Sequence, residues 1–206
     1  RRKKEDEEKK LQEDKIINAV VNDKVYVVSS GSLYSYTPED GFVACYDKSN
    51  ILSDQGIRHI GVCDKSNTLV IVYENANIDL IRSDGEVVNI TDFVNEISLD
   101  PQINDLRIMN GMAYLATNFG VSILDVEREE FGNTYTLDKV TYSSIGLNDF
   151  IYVATEKGLY RGDIHTNLLD AANWIFLDKE VYANLEVFEK SLIALKAKSN
   201  SVANSS

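Results

Sequence analysis

One sequence pattern occurs four times along the chain. It consists of two predicted apolar strands joined by a short polar turn. The copies cover residues 24–34, 68–79, 112–121 and 150–160. Each carries a marker tyrosine in its first strand: Tyr26, Tyr73, Tyr114 and Tyr152. Successive marker tyrosines are 47, 41 and 38 residues apart. A period of about 40–50 residues built from short strands is typical of β-propeller blades.

The blade between residues 103 and 137 shows the predicted order of strands most clearly. The innermost strand covers 103–109, the second 112–117, the third 120–125 and a short outer one 133–137. Asn110-Gly111 between the first two is a two-residue hairpin signal. Glycines that follow second strands, Gly31, Gly120 and Gly158, suit turns with positive φ. Thr117 and Thr155 precede two of these glycines and are expected to hydrogen-bond the turn backbone.

The same pattern predicts an all-β fold, a β-propeller of four-stranded antiparallel blades, with about four to five blades present. The predicted blades are 16–46, 51–90, 103–137, 142–177 and a partial one at 181–196, within a propeller region 16–198. Because four and a half blades leave a bare sheet edge, we expect a partial propeller or a fragment of a longer chain.

Two terminal segments differ from this pattern. Residues 1–15 mix seven basic and six acidic residues with almost no apolar ones, which predicts a disordered or helical charged arm, or a segment added for expression. Residues 199–206 are predicted to be a disordered tail. The N-terminus lacks the apolar core of a signal peptide, as a mature secreted protein also would.

The charge balance excludes one class of partner. The net charge of the chain is −12, the sum of +1 for residues 1–15 and −13 for the rest. An acidic body repels phosphate backbones, so we expect no nucleic-acid binding, and the acidic surface serves solubility. No run of about 18 apolar residues is present, so no membrane-spanning segment is expected.

The residues that carry most enzyme and metal chemistry are scarce. Cys45 and Cys63 match no metal-ligand spacing, and we expect buried free thiols, the alternative being a bridge in an oxidising compartment. His59 and His165 have no second ligand nearby, and no nucleophile or phosphate-loop motif occurs. We therefore expect no catalysis, no metal and no cofactor. The twin Asp-Lys-Ser-Asn tracts, 47–50 and 64–67, are better explained as turns than as ion loops.

Polar residues where the predicted inner strands begin form a candidate site at one mouth of the central channel. They are Asp54, Arg58, His59, Asn104, Asp105, Asn148 and Asp149. We expect Asn104-Asp105 and Asn148-Asp149 to occupy equivalent places in consecutive blades. Hydrogen bonding between blades is the simpler interpretation, and a polar ligand site is the alternative.

Two sequence signatures resemble a known family. The phrase at 151–160 resembles the regulator propeller repeat in periplasmic sensor regions of hybrid two-component systems from Bacteroidetes. The succession of residues 51–60, 67–81, 103–106 and 113–125 is similar to the first propeller of PorZ-like proteins of the type IX secretion system. The similarity covers roughly residues 16–196.

The resemblance implies a non-enzymatic scaffold in the periplasm or at the cell surface, with protein partners in the secretion or signalling apparatus. The alternative is a periplasmic sensory propeller that binds an oligosaccharide. PorZ-like proteins carry a second propeller and a terminal β-sandwich that this sequence lacks. Because lipopolysaccharide binding in that family is associated with the sandwich, it is not expected here.

Overall fold

The computed structural model describes residues 17–91 and 102–196 of the chain. Within these ranges the regular structure is β-strand, apart from one short 3-10 helix at Ala171–Asn173. None of the helical structure there is long and apolar enough to cross a membrane. The predicted arm 1–15 and tail 199–206 lie outside the described residues.

The described strands form four four-stranded antiparallel sheets and one two-stranded sheet. The first sheet contains β1 (Ile17–Val21), β2 (Lys24–Ser29), β3 (Ser32–Thr37) and β4 (Phe42–Tyr46). The second contains β5 (Ile57–Cys63), β6 (Thr68–Tyr73), β7 (Ile78–Ile81) and β8 (Val87–Ile90). The third contains β9 (Ile103–Met109), β10 (Met112–Thr117), β11 (Gly120–Asp125) and β12 (Glu130–Thr136). The fourth contains β13 (Thr141–Leu147), β14 (Phe150–Thr155), β15 (Gly158–Asp163) and β16 (Trp174–Asp178). The last pairs β17 (Tyr182–Phe188) with β18 (Ser191–Lys196).

The sheets stack as propeller blades do. Each sheet places its strands in chain order, and the first strand of each packs beside the first strand of the next. The strands β1, β5, β9, β13 and β17 are therefore the inner strands, nearest the axis. The predicted fold class, a partial propeller of four-stranded antiparallel blades, is confirmed.

Apolar side chains from facing sheets interlock to form the core. Leu33 of the first sheet and Ile71 of the second belong to one buried cluster, and Val70 of the second and Leu115 of the third belong to another. All six residues of β6 are buried, as expected for a β-branched strand covered on both faces. Burying one such side chain stabilises the fold by about 1.5–3 kcal/mol before entropy is counted.

Turn chemistry follows the sequence closely. Asn110 and Gly111 both have positive φ, as the predicted tight hairpin turn requires. Thr117 Oγ1 donates to the carbonyl of Gly120 at 3.0 Å, and Thr155 Oγ1 donates to that of Gly158 at 2.9 Å. The predicted role of these two threonines is confirmed.

The outer strand of the third sheet is longer than predicted. It begins at Glu130 instead of residue 133, because pairing with β11 resumes beyond a register shift between Ser122 and Leu124. The shift keeps Phe131 opposite Leu124 and lets it pack on the core between the second and third sheets.

Both cysteines are free. Cys63, at the end of β5, is buried as predicted, whereas Cys45 is exposed, so the prediction of two buried thiols is wrong for Cys45. It lies on β4, the outer strand of the first sheet, where one face has no neighbouring sheet among the described residues.

Candidate functional site at the mouth of the inner strands

Four of the inner strands carry the same irregularity near their start. In each, two consecutive residues of the second strand pair with inner-strand residues that are two positions apart. The inner strand thus has one extra residue, which is the pattern of a β-bulge. The bulge pairs are Arg58–His59 in β5, Asn104–Asp105 in β9, Tyr142–Ser143 in β13 and Ala183–Asn184 in β17. These pairs occupy equivalent positions in successive blades.

The first residues of three of these pairs line a pocket at the mouth. Asn104, Tyr142 and Ala183, together with Val140, surround a cavity of about 320 Å³. Asn104 Nδ2 donates to Asn118 Oδ1 at 2.9 Å and to the carbonyl of Thr141 at 3.0 Å. Because both donors of this amide are used, its Oδ1 is the atom left to accept a bond from a ligand. The lining carries no charge.

The second residues of the pairs form a polar network between blades. Ser143 Oγ donates to Asp105 Oδ2 at 2.6 Å and accepts from the backbone N–H of Leu185 at 3.1 Å. Arg107 Nε donates to the same Asp105 oxygen at 2.9 Å. Arg107 also donates to Asn184 Oδ1 and, at 2.5 Å, to Glu186 Oε2. The network thus joins β9, β13 and β17.

His59 forms a similar contact between the second and third sheets. Its Nε2 lies 3.2 Å from the carbonyl oxygen of Ile103 on the neighbouring inner strand. Arg58, its partner in the bulge, is half-buried. Four predicted site residues, Arg58, His59, Asn104 and Asp105, therefore lie together at one end of the inner strands, and three of them form bonds between blades.

The expected equivalence of Asn104-Asp105 and Asn148-Asp149 is wrong. Asn148 and Asp149 form the turn between β13 and β14, at the far end of β13 from Thr141. Since the start of β9 bonds to the start of β13, this turn lies at the opposite end of the sheets. Asp149 Oδ1 lies 3.7 Å from His165 Nε2, and both side chains are well exposed.

Asp54 lies at the same end of the sheets as Asn104 and Asp105, but in a loop outside the inner strands. Its carboxylate accepts from Asn75 Nδ2 at 2.5 Å, from the backbone N–H of Gln55 at 2.9 Å and from Lys48 Nζ at 3.4 Å. Partial burial raises the pKa of Asp54, but these bonds and the Lys48 charge outweigh it, so the pKa lies below its ordinary value. Asp54 lines a separate cleft of about 580 Å³ with Tyr46 and Glu74.

The first Asp-Lys-Ser-Asn tract is a turn, as predicted. Asp47 Oδ1 accepts from the backbone N–H of Ser49 at 2.8 Å, and Asn50 Oδ1 accepts from the N–H of Asp47 at 2.9 Å. The second tract forms the turn between β5 and β6. Over residues 17–91 and 102–196, no group of three or more His, Cys, Asp or Glu side chains has a geometry that could hold a metal ion.

Several residues at the mouth were not predicted from the sequence. They are Arg107, Val140, Tyr142, Ser143, Ala183, Asn184 and Glu186. A usable signal exists in the Ala-Thr pairs that end β10 and β14, namely Ala116-Thr117 and Ala154-Thr155. Aligning the blades on these pairs sets Tyr142-Ser143, and not Asn148-Asp149, against Asn104-Asp105.

Stacked four-stranded antiparallel sheets define the described part of this chain as a partial β-propeller, and comparison with known proteins identifies its family. The family model described as the type IX secretion system PorZ N-terminal β-propeller domain matches residues 25–175. The chain belongs to this family. No curated protein matches it.

Solved structures agree with this assignment. PorZ of Porphyromonas gingivalis, described as an essential bacterial surface component of the type IX secretion system, is 29% identical with a TM-score of 0.79. The match covers 87% of this chain and 25% of that one, so this chain spans about a quarter of the length of PorZ.

Two further structures show the fold alone. The extracellular domain of a putative hybrid two component system from B. thetaiotaomicron is 17% identical, with a TM-score of 0.63, over 82% of this chain and 24% of that one. The computationally designed Ika4 protein is 9% identical, with a TM-score of 0.56, over 73% of this chain and 92% of that one.

Proposed function

We propose that this chain is a non-enzymatic scaffold propeller of the bacterial envelope that binds protein components of type IX secretion. Family membership over residues 25–175 is the observation that carries the proposal. The PorZ relative is described as a surface component, which supports a location in the periplasm or at the cell surface of Bacteroidetes.

The described residues suit a rigid binding surface better than a catalytic centre. Arg107, Asp105 and Ser143 satisfy one another and hold three blades in register. His59 contacts a backbone carbonyl of the next blade, and His165 lies at the opposite end of the sheets. The Ser143 hydroxyl lies beside the Asp105 carboxylate, but Ser143 is fully buried and its oxygen already accepts from the N–H of Leu185. This serine is therefore closed to a substrate, whereas an acyl-transfer or hydrolytic mechanism requires an accessible nucleophile.

The scaffold proposal is tested by affinity capture from envelope extracts of a bacterium with a type IX system. The bait is the chain itself, with a sensor propeller of similar size as the control bait. We expect type IX components to be enriched on this chain and not on the control. Equal recovery on both baits would refute the proposal.

Two surface variants locate the docking end. Ala183→Trp fills the mouth pocket, whereas Ile164→Glu alters an exposed residue next to the Asp149 end. If the partners bind at the mouth, capture should be lost with Ala183→Trp and normal with Ile164→Glu. Binding at the other end predicts the reverse.

A second candidate function is oligosaccharide sensing, and one observation favours it. Tyr142 presents a partly exposed ring in a pocket of about 320 Å³, close to the lower limit of roughly 300 Å³ for small-molecule sites. An aromatic ring next to the amide oxygen of Asn104 suits a sugar ring with one donating hydroxyl.

A glycan array tests this second function. We expect Tyr142→Ala to abolish any glycan binding, and Tyr34→Ala, on the first sheet, to preserve it. A glycan bound equally by both variants would exclude this site.

A further inference from the structure

The connection between the third and fourth strands is unusually long in the fourth sheet. It contains four residues in the first sheet, five in the second and four in the third, but ten in the fourth, residues 164–173. We call these ten residues the long loop. The backbone N–H of Ile164, its first residue, donates to the carbonyl of Asp149 at 3.0 Å. The long loop therefore lies at the Asp149 end of the sheets, away from the mouth.

The long loop is firmly anchored to the fold. Leu168 is 3% exposed and belongs to the core between the third and fourth sheets. Its carbonyl accepts from Trp174 Nε1 at 3.0 Å. Asp170 Oδ1 caps the short 3-10 helix by accepting from the backbone N–H of Ala172 at 2.9 Å. A loop that is already ordered in the free chain loses less conformational entropy when it binds a partner.

This anchored loop presents two apolar side chains to solvent. Leu169, next to the buried Leu168, is 66% exposed, and Ile164 is 50% exposed. The fold does not require apolar residues here, because Ser83-Asp84-Gly85 occupies the same connection in the second sheet. Two exposed apolar side chains on one ordered loop indicate a surface that another protein covers.

Stacking of sheets does not cover this part of a blade. The second and third sheets each have a neighbouring sheet on both sides, and their equivalent connections still face solvent. Residues 83–86 of the second sheet and residues 127–128 of the third are exposed. A neighbouring sheet thus covers the strands of a blade but leaves the connection at this end open. The long loop is therefore available to a separate partner.

The charges around the long loop indicate the chemistry of that partner. Asp163 precedes the loop, Asp170 lies within it, and Asp149 is bonded to its first residue. Residues 162–178 contain no lysine or arginine, and His165 Nε2 lies 3.7 Å from Asp149 Oδ1. An apolar contact surface bordered by carboxylates is complementary to an apolar pocket bordered by basic side chains.

We propose that the long loop is the docking surface for the partner protein, and that the partner presents an apolar pocket for Leu169 bordered by lysine or arginine side chains. This inference rests on the proposed scaffold function and adds to it the docking end and the chemistry of the partner. Ile164 extends the apolar contact, and Asp149 and Asp170 face the basic border. Because Leu168 anchors the loop in the core, Leu169 can insert without a rearrangement of the fold.

The docking surface is tested by capture from envelope extracts of a bacterium with a type IX system, beside the wild-type chain and the sensor-propeller control bait. We expect Leu169→Glu and Ile164→Glu each to recover at least about tenfold less type IX protein, because the new charge would be buried without a partner. Ile51→Glu is the matched control. Ile51 is 42% exposed in the loop before β5, at the mouth end, and its variant should recover wild-type amounts.

The outcomes separate this inference from the scaffold function. Wild-type recovery of type IX proteins by Leu169→Glu and Ile164→Glu would overturn the docking surface and leave the scaffold function intact. A wild-type chain that enriches no type IX protein over the control bait would refute the scaffold function, and the inference with it. All three substitutions are at exposed residues, so thermal unfolding of each variant should match that of the wild-type chain.

Salt dependence tests the basic border of the partner's pocket. The double variant Asp149→Asn, Asp170→Asn removes two charges, and an asparagine at position 170 can still cap the 3-10 helix. Recovery on the wild-type chain should fall several-fold between about 0.1 and about 1 M NaCl, because the screening length falls from about 10 Å to about 3 Å. The double variant should show a smaller fall. The same salt dependence in both proteins would overturn the basic border.

Discussion

The hydroxyl of Tyr73 donates a 2.5 Å hydrogen bond to the carboxylate of Asp79, and both residues are fully buried between sheets. The same carboxylate accepts from the backbone N–H of Ser53 at 2.8 Å and from Asn89 Nδ2 at 2.7 Å. Ser53 and Asp79 belong to two sequence segments that carry the resemblance to PorZ-like propellers. The structure thus joins these segments in one buried unit, which ties the loop before β5 to the second sheet.

Tyr73→Phe should lower the free energy of unfolding by about 1.5–3 kcal/mol, because it removes a hydrogen bond to a buried carboxylate and leaves that acceptor short of one donor. Urea unfolding followed by circular dichroism measures the change. Tyr36→Phe removes an exposed hydroxyl and should change the value by less than about 0.5 kcal/mol. Equal effects of the two substitutions would show that the Tyr73 bond contributes nothing.

The same tyrosine predicts how stability depends on alkaline pH. Burial raises the pKa of Tyr73, and the hydrogen bond and negative charge of Asp79 raise it further. The unfolded chain therefore loses this proton near the ordinary value of about 10 while the folded chain retains it. Stability should be constant below about pH 9 and fall as pH rises above 10, with a smaller fall in Tyr73→Phe. Urea unfolding between pH 8 and 11 measures both, and identical slopes for the two proteins would contradict the assignment.

The strands were predictable because their signals are local. Asn110-Gly111 demands positive φ at two successive positions, and this sets the pairing of β9 with β10 whatever the rest of the chain does. The threonine-glycine turns after β10 and β14 are equally local, since Thr117 and Thr155 bond only three residues ahead. Short-range chemistry of this kind can be read directly from the sequence.

The residues at the mouth of the inner strands were only partly predictable. Which residues lie there depends on how the inner strand pairs with the second strand of each sheet. Asn104-Asp105 and Asn148-Asp149 have the same residue types, yet one is a bulge and the other a hairpin turn. The difference depends on which residue of the second strand each one faces. The contact of Arg107 with Glu186 joins residues 79 positions apart, and no local signal specifies it.

Gly158→Ala should be among the most destabilising single changes in the fourth sheet. Gly158 has a φ of +123°, and a Cβ there would lie 2.1 Å from the carbonyl oxygen of Asp178. Because the clash is with backbone, β15 and β16 must separate, and we expect a loss of about 3 kcal/mol or more. Gly132→Ala is the matched control, since its Cβ would meet nothing closer than 3.5 Å. Thermal unfolding of the two variants measures the difference, and a similar shift in both would refute the steric explanation.

Arg107→Ala should loosen the last sheet without unfolding the rest. Arg107 bonds to Asp105 on its own strand and to Asn184 and Glu186 on β17. Its removal leaves Asp105 less well compensated, and β17 is then held by apolar contacts, by Ser143 and by the hydrogen bond from Tyr182 to Asp178. A charge-assisted bond contributes about 1.5–3 kcal/mol, which predicts at least a tenfold faster amide hydrogen exchange in β17 and β18. Exchange in β5 and β6 should not change.

The matched control for this experiment is Arg128→Ala, whose ion pair with Glu130 is largely exposed and should contribute little. Arg107→Lys separates charge from geometry, because a lysine ammonium cannot hold the three partners through a planar fork. We expect Arg107→Lys to recover only part of the protection. Full recovery would mean that charge alone anchors the last sheet. Unchanged exchange in Arg107→Ala would mean that the apolar contacts of Leu185 are enough to hold the last sheet. The polar network would then determine the shape of the mouth without stabilising it.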